Sequence, residues 1–282
     1  MRPFVGALAL VAACSSPGGG GTDAPPGGDG GTDGAPGPDA PGGALILPPT
    51  NGGLDYQLGG AYPPPAGVTI VSRDREAAPA PGVYSICYVN GFQIQPGEAS
   101  WWLAMHGDLI LRDAGGQPVI DPDWNEMLID VGTPAKRAAV AAIVGGWITG
   151  CRDAGFAAIE IDNLDSFSRS GGRLTEDDAV AQMRLFADAA HAVGLPVAQK
   201  NSAELVPRKA ELGTDFSVAE ECSRFAECDA YTAGYGDHVL SIEYRRADFT
   251  TGCAAYGARL SIVLRDLDLV PLGQAGYVFD GC

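Results

Sequence analysis

The sequence predicts an α/β chain folded as a (β/α)8 TIM barrel and preceded by a disordered Gly/Pro-rich tether. Three observations carry this expectation. Short β-branched runs alternate with longer Ala-rich stretches over about 220 residues, the pattern of parallel strands joined by helical crossovers. The runs number eight, which is what a closed barrel needs, and the segment has the size of one. Before them, residues 15–43 are almost entirely Gly, Pro, Asp, Ala, Ser and Thr, too poor in apolar side chains to offset the entropy of an ordered backbone.

In chain order the expected strands are Val68–Ser72, Tyr84–Val89, Met127–Val131, Ala157–Asp162, Pro196–Lys200, Phe216–Glu220, His238–Glu243 and Leu260–Leu264. Two helices between them announce their ends. Thr133 followed by Pro134 places a capping hydroxyl before a proline at the first helical position, and the apolar pattern runs on to about Ala154. Thr175-Glu176-Asp177-Asp178 caps a second helix that reaches Ala192 and stops at Gly194. The rival is an open doubly wound sheet, but no Gly-x-Gly-x-x-Gly follows an early strand. The Pro-rich link Arg73 to Val83 is short for a helical crossover. The irregular stretch Asn90 to Glu126 reads as an insertion above the barrel mouth.

The start of the chain reads as a targeting segment. Met1-Arg2-Pro3 is followed by an apolar run from Phe4 to Ala13, too brief to span a bilayer. Val11-Ala12-Ala13-Cys14 resembles a bacterial lipobox, with Cys14 as the lipidated residue; the alternative is an ordinary signal peptide cut near Ala13. The expected organisation is a lipoprotein signal peptide at 1–13, lipidated Cys14 with a disordered linker to 43, and a barrel domain at 44–282. No other stretch is apolar and long enough to cross a membrane, so the lipid would be the membrane attachment, and Ser15 leans toward the outer membrane or cell surface. A net charge of −17 from 35 acidic and 18 basic residues argues against nucleic acid and suits a neutral or cationic ligand. The other six cysteines favour disulfides in an exported chain. Cys222 and Cys228, six apart, are placed to close a small loop, which leaves Cys87, Cys151, Cys253 and Cys282, within the 15 connectivities that six cysteines allow. Without a Cys-x-x-Cys pair, and with three scattered histidines, no metal is expected, nor any other cofactor. A monomer is expected.

Barrel enzymes carry their chemistry at the C-terminal strand ends, and here those ends are acidic. The third expected strand ends at Asp130, the fourth at Glu160-Ile161-Asp162-Asn163 and the fifth at Lys200-Asn201. The sixth ends at Glu220-Glu221 and the seventh at Glu243-Tyr244. If Ile159 and Ile161 face the helices, strand alternation turns Glu160 and Asp162 to the axis. The same parity pairs Ala198 with Lys200, Val218 with Glu220 and Ser241 with Glu243. Any one such residue is as well explained as a helix cap or a loop-amide acceptor, but together they describe a polar cleft, because carboxylates are costly to bury dry. Two carboxylates in one cleft are what glycosidic cleavage needs. Serine hydrolysis lacks its Gly-x-Ser-x-Gly elbow, and no phosphate-cradling loop occurs.

Ile86-Cys87-Tyr88, Trp124-Asn125-Glu126-Met127-Leu128-Ile129-Asp130, Ile161-Asp162-Asn163-Leu164-Asp165, Gln199-Lys200-Asn201, Glu220-Glu221-Cys222 with Glu227-Cys228, and Glu243-Tyr244 occur in that order. The series resembles glycoside hydrolase family 114, the endo-α-1,4-polygalactosaminidases, over about Leu54 to Asp268. The resemblance implies a surface-tethered barrel enzyme hydrolysing α-1,4-linked galactosamine polymers, with Asp162 and Glu220 catalytic: Asp162 as nucleophile or base, Glu220 as general acid. It further implies that Tyr88, Asp130, Asn163, Asp165, Lys200, Asn201, Glu243 and Tyr244 shape sugar subsites, with Tyr88, Trp101, Trp102 and Trp124 as candidate stacking faces. Departures from the family pattern are Arg73-Asp74 at the end of the expected first strand, the Gln95-Pro96-Gly97-Glu98 stretch, and Glu221 where a neutral amide is commoner. Deacetylated galactosamine is a cation, which agrees with the acidic chain. The competing expectation is a non-catalytic carbohydrate-binding lipoprotein on the same barrel.

Overall fold

The structure, a computed structural model, describes residues 44–282. The expected signal peptide, Cys14 and the linker lie outside the described residues. In chain order the elements are β1 (Gly53–Tyr56), β2 (Val68–Asp74), β3 (Tyr84–Asn90), β4 (Gln93–Ile94), α1 (Ala99–Met105), β5 (Ile120–Asp121), β6 (Glu126–Leu128) and α2 (Pro134–Ala154). There follow β7 (Ala158–Asp162), α3 (Ser166–Arg169), α4 (Glu176–Ala192), β8 (Val197–Lys200), α5 (Lys209–Leu212), β9 (Phe216–Glu220), α6 (Cys222–Phe225) and α7 (Cys228–Tyr235). The last are β10 (Val239–Glu243), α8 (Arg246–Tyr256), β11 (Ser261–Arg265) and β12 (Phe279–Gly281).

Eight parallel strands, in the order β1-β2-β3-β7-β8-β9-β10-β11, curl into the expected α/β barrel, and β12 adds antiparallel to β11. One strand assignment is corrected. Met127–Val131 is not the third barrel strand: β6 instead forms the centre of a small antiparallel sheet, β4-β6-β5. A β-branched run marks a half-buried extended segment but not the sheet it joins. The barrel takes β1 in its place. Gly53 lets that strand seat, since a Cβ there would lie 2.2 Å from the Gly67 carbonyl oxygen.

No helix follows β1 or β2. Arg73, pointing outward from β2 and nearly buried, holds both loops instead. Its guanidinium donates to Gln57 Oε1 (2.9 Å), the Tyr62 carbonyl (2.7 Å) and the Ala78 carbonyl (2.8 Å). The barrel stops one ladder short of closure, and side chains bridge the seam between β1 and β11. Arg265, fully buried, pairs with equally buried Asp55 at 2.8 Å and donates to the Tyr56 carbonyl. Gly52 N donates to Ser261 Oγ at 2.9 Å.

Leu54, Ile70, Ile86, Val218, Leu240 and Val263 fill the barrel interior. A separate apolar layer lies outside β3 and β7, where Val140, Val144 and Ile148 of α2 meet Met183 and Phe186 of α4. The Asn90–Glu126 insertion belongs chiefly to this outer layer. Phe92 stacks edge-on against Phe186 with centroids 5.6 Å apart, and Trp102 is fully buried. Its last turn alone reaches the barrel mouth. Both anticipated caps form: Thr133 accepts from Lys136 N (3.3 Å), and Thr175 and Asp178 make a reciprocal capping box. The disulfides are Cys87–Cys151, Cys222–Cys228 and Cys253–Cys282, tying β3 to α2, closing the loop after β9, and fastening the last residue to α8.

Candidate active site

The site is assembled from inward-facing residues at the carboxyl ends of neighbouring strands. Lys200, last in β8, is 2% exposed, and its ammonium is its centre. Nζ lies 3.3 Å from Glu160 Oε1, 3.3 Å from Asp162 Oδ1 and 3.2 Å from Glu220 Oε2, and donates to the Tyr56 hydroxyl oxygen at 2.9 Å. Two layers result. In the lower, Tyr56 and Ser72 hydroxyls donate to the fully buried Glu160. In the upper, Tyr88 OH donates to Asp162 Oδ2 at 2.8 Å. There too Glu220 accepts from Tyr244 OH and from Asn201 Nδ2 (3.1 Å), while its own amide donates back to Asn201 Oδ1 (2.8 Å).

The electrostatics follow from this shared cation. Burial alone would push the Asp162 carboxyl up, but the Lys200 ammonium, the Tyr88 hydroxyl and the Asn163 amide outweigh it and hold Asp162 below the usual aspartate range. Burial would likewise lower Lys200, yet Asp162, Glu220 and Glu160 drive it well above an ordinary lysine. Glu160 is raised by burial despite the ammonium. Tyr88 and Tyr244 are raised first by burial and then by the carboxylates they serve, so both phenols stay protonated donors.

The strand ends share a backbone device. Asn163, Asn201, Ser202 and Glu221, directly after β7, β8 and β9, all have positive φ, between 50° and 65°. The chain therefore turns sharply just past each functional side chain, and asparagine is the L-residue that tolerates this best. Glu221 does so at a cost of order 1 kcal/mol and is held by Arg224, which donates to both its oxygens at 2.7 and 2.9 Å. An asparagine would meet that backbone at lower cost.

Asp162, Glu220, Tyr88, Asn163, Asp165, Lys200, Asn201 and Tyr244 all line one cleft of about 760 Å³. Its charged lining residues are eight acidic and two basic among those described, and the basic pair, Lys200 and Arg169, is already ion-paired. Two expected residues are not brought there. Asp130 sits before α2, paired with Lys136 and accepting from Gly132 N (3.0 Å). Glu243 points outward from β10 and accepts from Ser223 N at 2.8 Å and Ser241 Oγ at 3.1 Å. Leu240 and Ile242 take the inward positions of that strand, so its parity is opposite to the expectation, and Tyr244 reaches the axis in place of Glu243. Of the four aromatic candidates Tyr88 and Trp124 line the cleft, whereas Trp101 and Trp102 pack with His106 and Trp147.

Not anticipated from the sequence are Tyr56, whose strand β1 was not foreseen, Ser72, which ends an expected strand but carries no charge to mark it, and Glu126 as a cleft residue. Glu126 accepts from Asn90 Nδ2 at 2.8 Å and is pushed up to about 7, by burial first, partly opposed by that hydrogen bond, and then by the charge of Asp162. Among the described residues no cluster of three or more His, Cys, Asp or Glu side chains has the arrangement of a metal site.

The geometry agrees with what the chain is similar to. The structure of Ega3 from Aspergillus fumigatus in complex with galactosamine superposes with a TM-score of 0.68 at 21% identity, covering 85% of this chain and 98% of that one. The glycoside hydrolase domain of PelA from Pseudomonas aeruginosa gives 0.53 at 18% identity, covering 79% and 98%. No curated protein sequence matches. The sequence model of glycoside-hydrolase family GH114 matches residues 38–282, which include the whole of the described barrel. With two carboxylates converging on one ammonium at the mouth of that barrel, the chain belongs to glycoside-hydrolase family GH114 and is a glycoside hydrolase.

Proposed function

We propose that the protein is an endo-glycosidase that hydrolyses α-1,4-linked, galactosamine-containing polysaccharide, with Asp162 and Glu220 as its reacting carboxylates. The observation that carries this is the pair itself, facing an acidic cleft from the ends of β7 and β9, on either side of Lys200 at the end of β8. Because both sit on Lys200 Nζ, the oxygens that meet it are at most about 6.5 Å apart, a bound that admits the about 5–5.5 Å of a retaining pair. In a double displacement the roles are these. Asp162, kept ionised, attacks the anomeric carbon as the glycosidic C–O bond breaks and Glu220 gives its proton to the leaving oxygen. Water then attacks the glycosyl–Asp162 ester, its proton passes to Glu220, and the sugar leaves with retained configuration.

The substrate class rests on charge and on similarity. A cleft lined by eight carboxylates and two cations concentrates a polycation and repels acidic glycans, and the similar Ega3 structure holds galactosamine. Trp124 and Phe225, 60% and 57% exposed on the cleft wall, offer apolar faces to sugar rings. The test is cleavage of α-1,4-galactosamine oligomers at rising ionic strength. The expected result is internal cleavage that weakens with salt as screening sets in. Binding without cleavage would favour the carbohydrate-binding reading instead.

Surface tethering rests on the Val11–Cys14 motif alone. The reading is a monomer held by lipid on Cys14 at the outer membrane or cell surface. Incorporation of a labelled fatty acid that Cys14→Ala abolishes is its check, and equal labelling of the variant would refute it.

A further inference from the structure

On the α7 side of the cleft, away from the reacting pair, stand two carboxylates with no counter-charge. Glu204 lies on the 3-10 turn after β8, and Glu227 leads into α7; both line the cleft. The cations nearby are committed elsewhere. Arg208 pairs with Glu176, Asp177 and Glu211, Arg169 with Asp121 and Asp165, and Arg224 with Glu221. The third member is Tyr231 of α7. It is 2% exposed, packed with Val206 and Cys228, and its side chain also lines the cleft. Its hydroxyl has no hydrogen-bond partner among the described residues, although every other tyrosine hydroxyl lining the cleft is bonded to a carboxylate. Burial, then the charges of Glu227 and Glu204, raise this phenol, so it lies within the field of both. Glu227 is itself raised, by burial and then by Glu204.

Two unneutralised carboxylates and one idle phenol oxygen are three acceptors, the number that a primary ammonium with three N–H donors requires. We propose that Glu204, Glu227 and the Tyr231 hydroxyl form an ammonium subsite, separate from Asp162 and Glu220, that takes the 2-amino group of a galactosamine unit away from the cleaved bond. The proposal rests on the substrate reading above and deepens it: the subsite reads deacetylation. N-acetylation removes the charge and two of the three donors and adds bulk, so an acetylated unit is rejected here.

The test compares full-length parent, the double variant Glu204→Gln/Glu227→Gln, and Tyr231→Phe on α-1,4-galactosamine oligomers and on the same oligomers after chemical N-acetylation. Glutamine and phenylalanine keep the shapes, and equal melting temperatures confirm the fold. For the double variant the ratio of kcat/KM between deacetylated and acetylated substrate is expected to fall about ten-fold at low salt, carried by KM, and to converge on the parent's at high salt. For Tyr231→Phe the expected fall is about three-fold. A parent that discriminates and variants that keep its discrimination would overturn the subsite alone. A parent that neither binds nor cuts galactosamine oligomers would overturn the substrate reading and the subsite with it.

Discussion

Lys200→Met isolates the interaction on which the site is built. Methionine keeps an unbranched side chain one atom shorter and removes the charge that three carboxylates share at 3.2–3.3 Å. Breaking a buried pair by deleting one partner costs about 3–5 kcal/mol, because the other partner stays buried and uncompensated. Glu160, fully buried, is that partner. Taking the lower figure, a domain of this size loses about 6–12 °C of melting temperature. The loss depends on pH with a definite sign. Asp162 is lowered from 3.8, so the stability it contributes is present above that value and fades only as pH falls through its still lower folded value. Lys200 is raised above 10.5, so its contribution is present below that value. The Asp162–Lys200 attraction is therefore complete between about pH 4 and 10, whereas Glu160, raised from 4.5, carries its charge only above that value. In the variant nothing offsets the burial that raises Glu160, so its deficit is largest near pH 8 and shrinks toward pH 4, where Glu160 is protonated. Calorimetric melting of parent and variant at those two pH values reads this directly. A deficit of the same size at both, or none at either, would refute the reasoning.

Tyr244→Phe removes one donor from Glu220 without opening a cavity. A charge-assisted hydrogen bond of this kind is worth about ten-fold in kcat, measured by steady-state kinetics, and an unchanged kcat would place Tyr244 outside the chemistry. Glu126→Gln tests the raised carboxyl on the cleft wall. A carboxyl lifted from 4.5 to about 7 contributes stability below 4.5 that is lost as pH rises through 7. Discounted for its partial exposure, the difference is about 1 kcal/mol, so the variant should melt about 2–4 °C above the parent at pH 8 and level with it at pH 4.5. Equal melting temperatures at both pH values would show that Glu126 ionises as freely as an exposed glutamate.

The helices α2 and α4 were legible because their ends are written in local chemistry: a threonine cap at each start and Gly155 or Gly194 in left-handed conformation past each end. The acidic strand ends were legible as well, since a carboxylate at the end of an apolar run is unusual and has few places to go. Three features were not. β1 is four residues long, and its inward Tyr56 is recognisable only beside Glu160 and Lys200, partners 104 and 144 residues away. The facing of β10 was misread because all five of its residues are buried, so hydrophobic alternation says nothing about which side meets the axis. There the polar residues Ser241 and Glu243 mark the side that anchors α6. The link after β2 looks too short for a helical crossover, and it is; what the sequence does not show is that Arg73, a departure at the end of its strand, staples the loops after both β1 and β2 so that neither needs a helix.

The central claim is that Asp162 and Glu220 perform the bond cleavage, and product release from α-1,4-galactosamine oligomers by the parent, Asp162→Asn and Glu220→Gln tests it most directly. Each variant keeps the shape of its side chain and the hydrogen-bonding neighbours Tyr88 or Asn201. The account predicts cleavage by the parent and, in each variant, turnover lower by at least about a hundred-fold with oligomer binding retained. Turnover at the parental rate in either variant would contradict it.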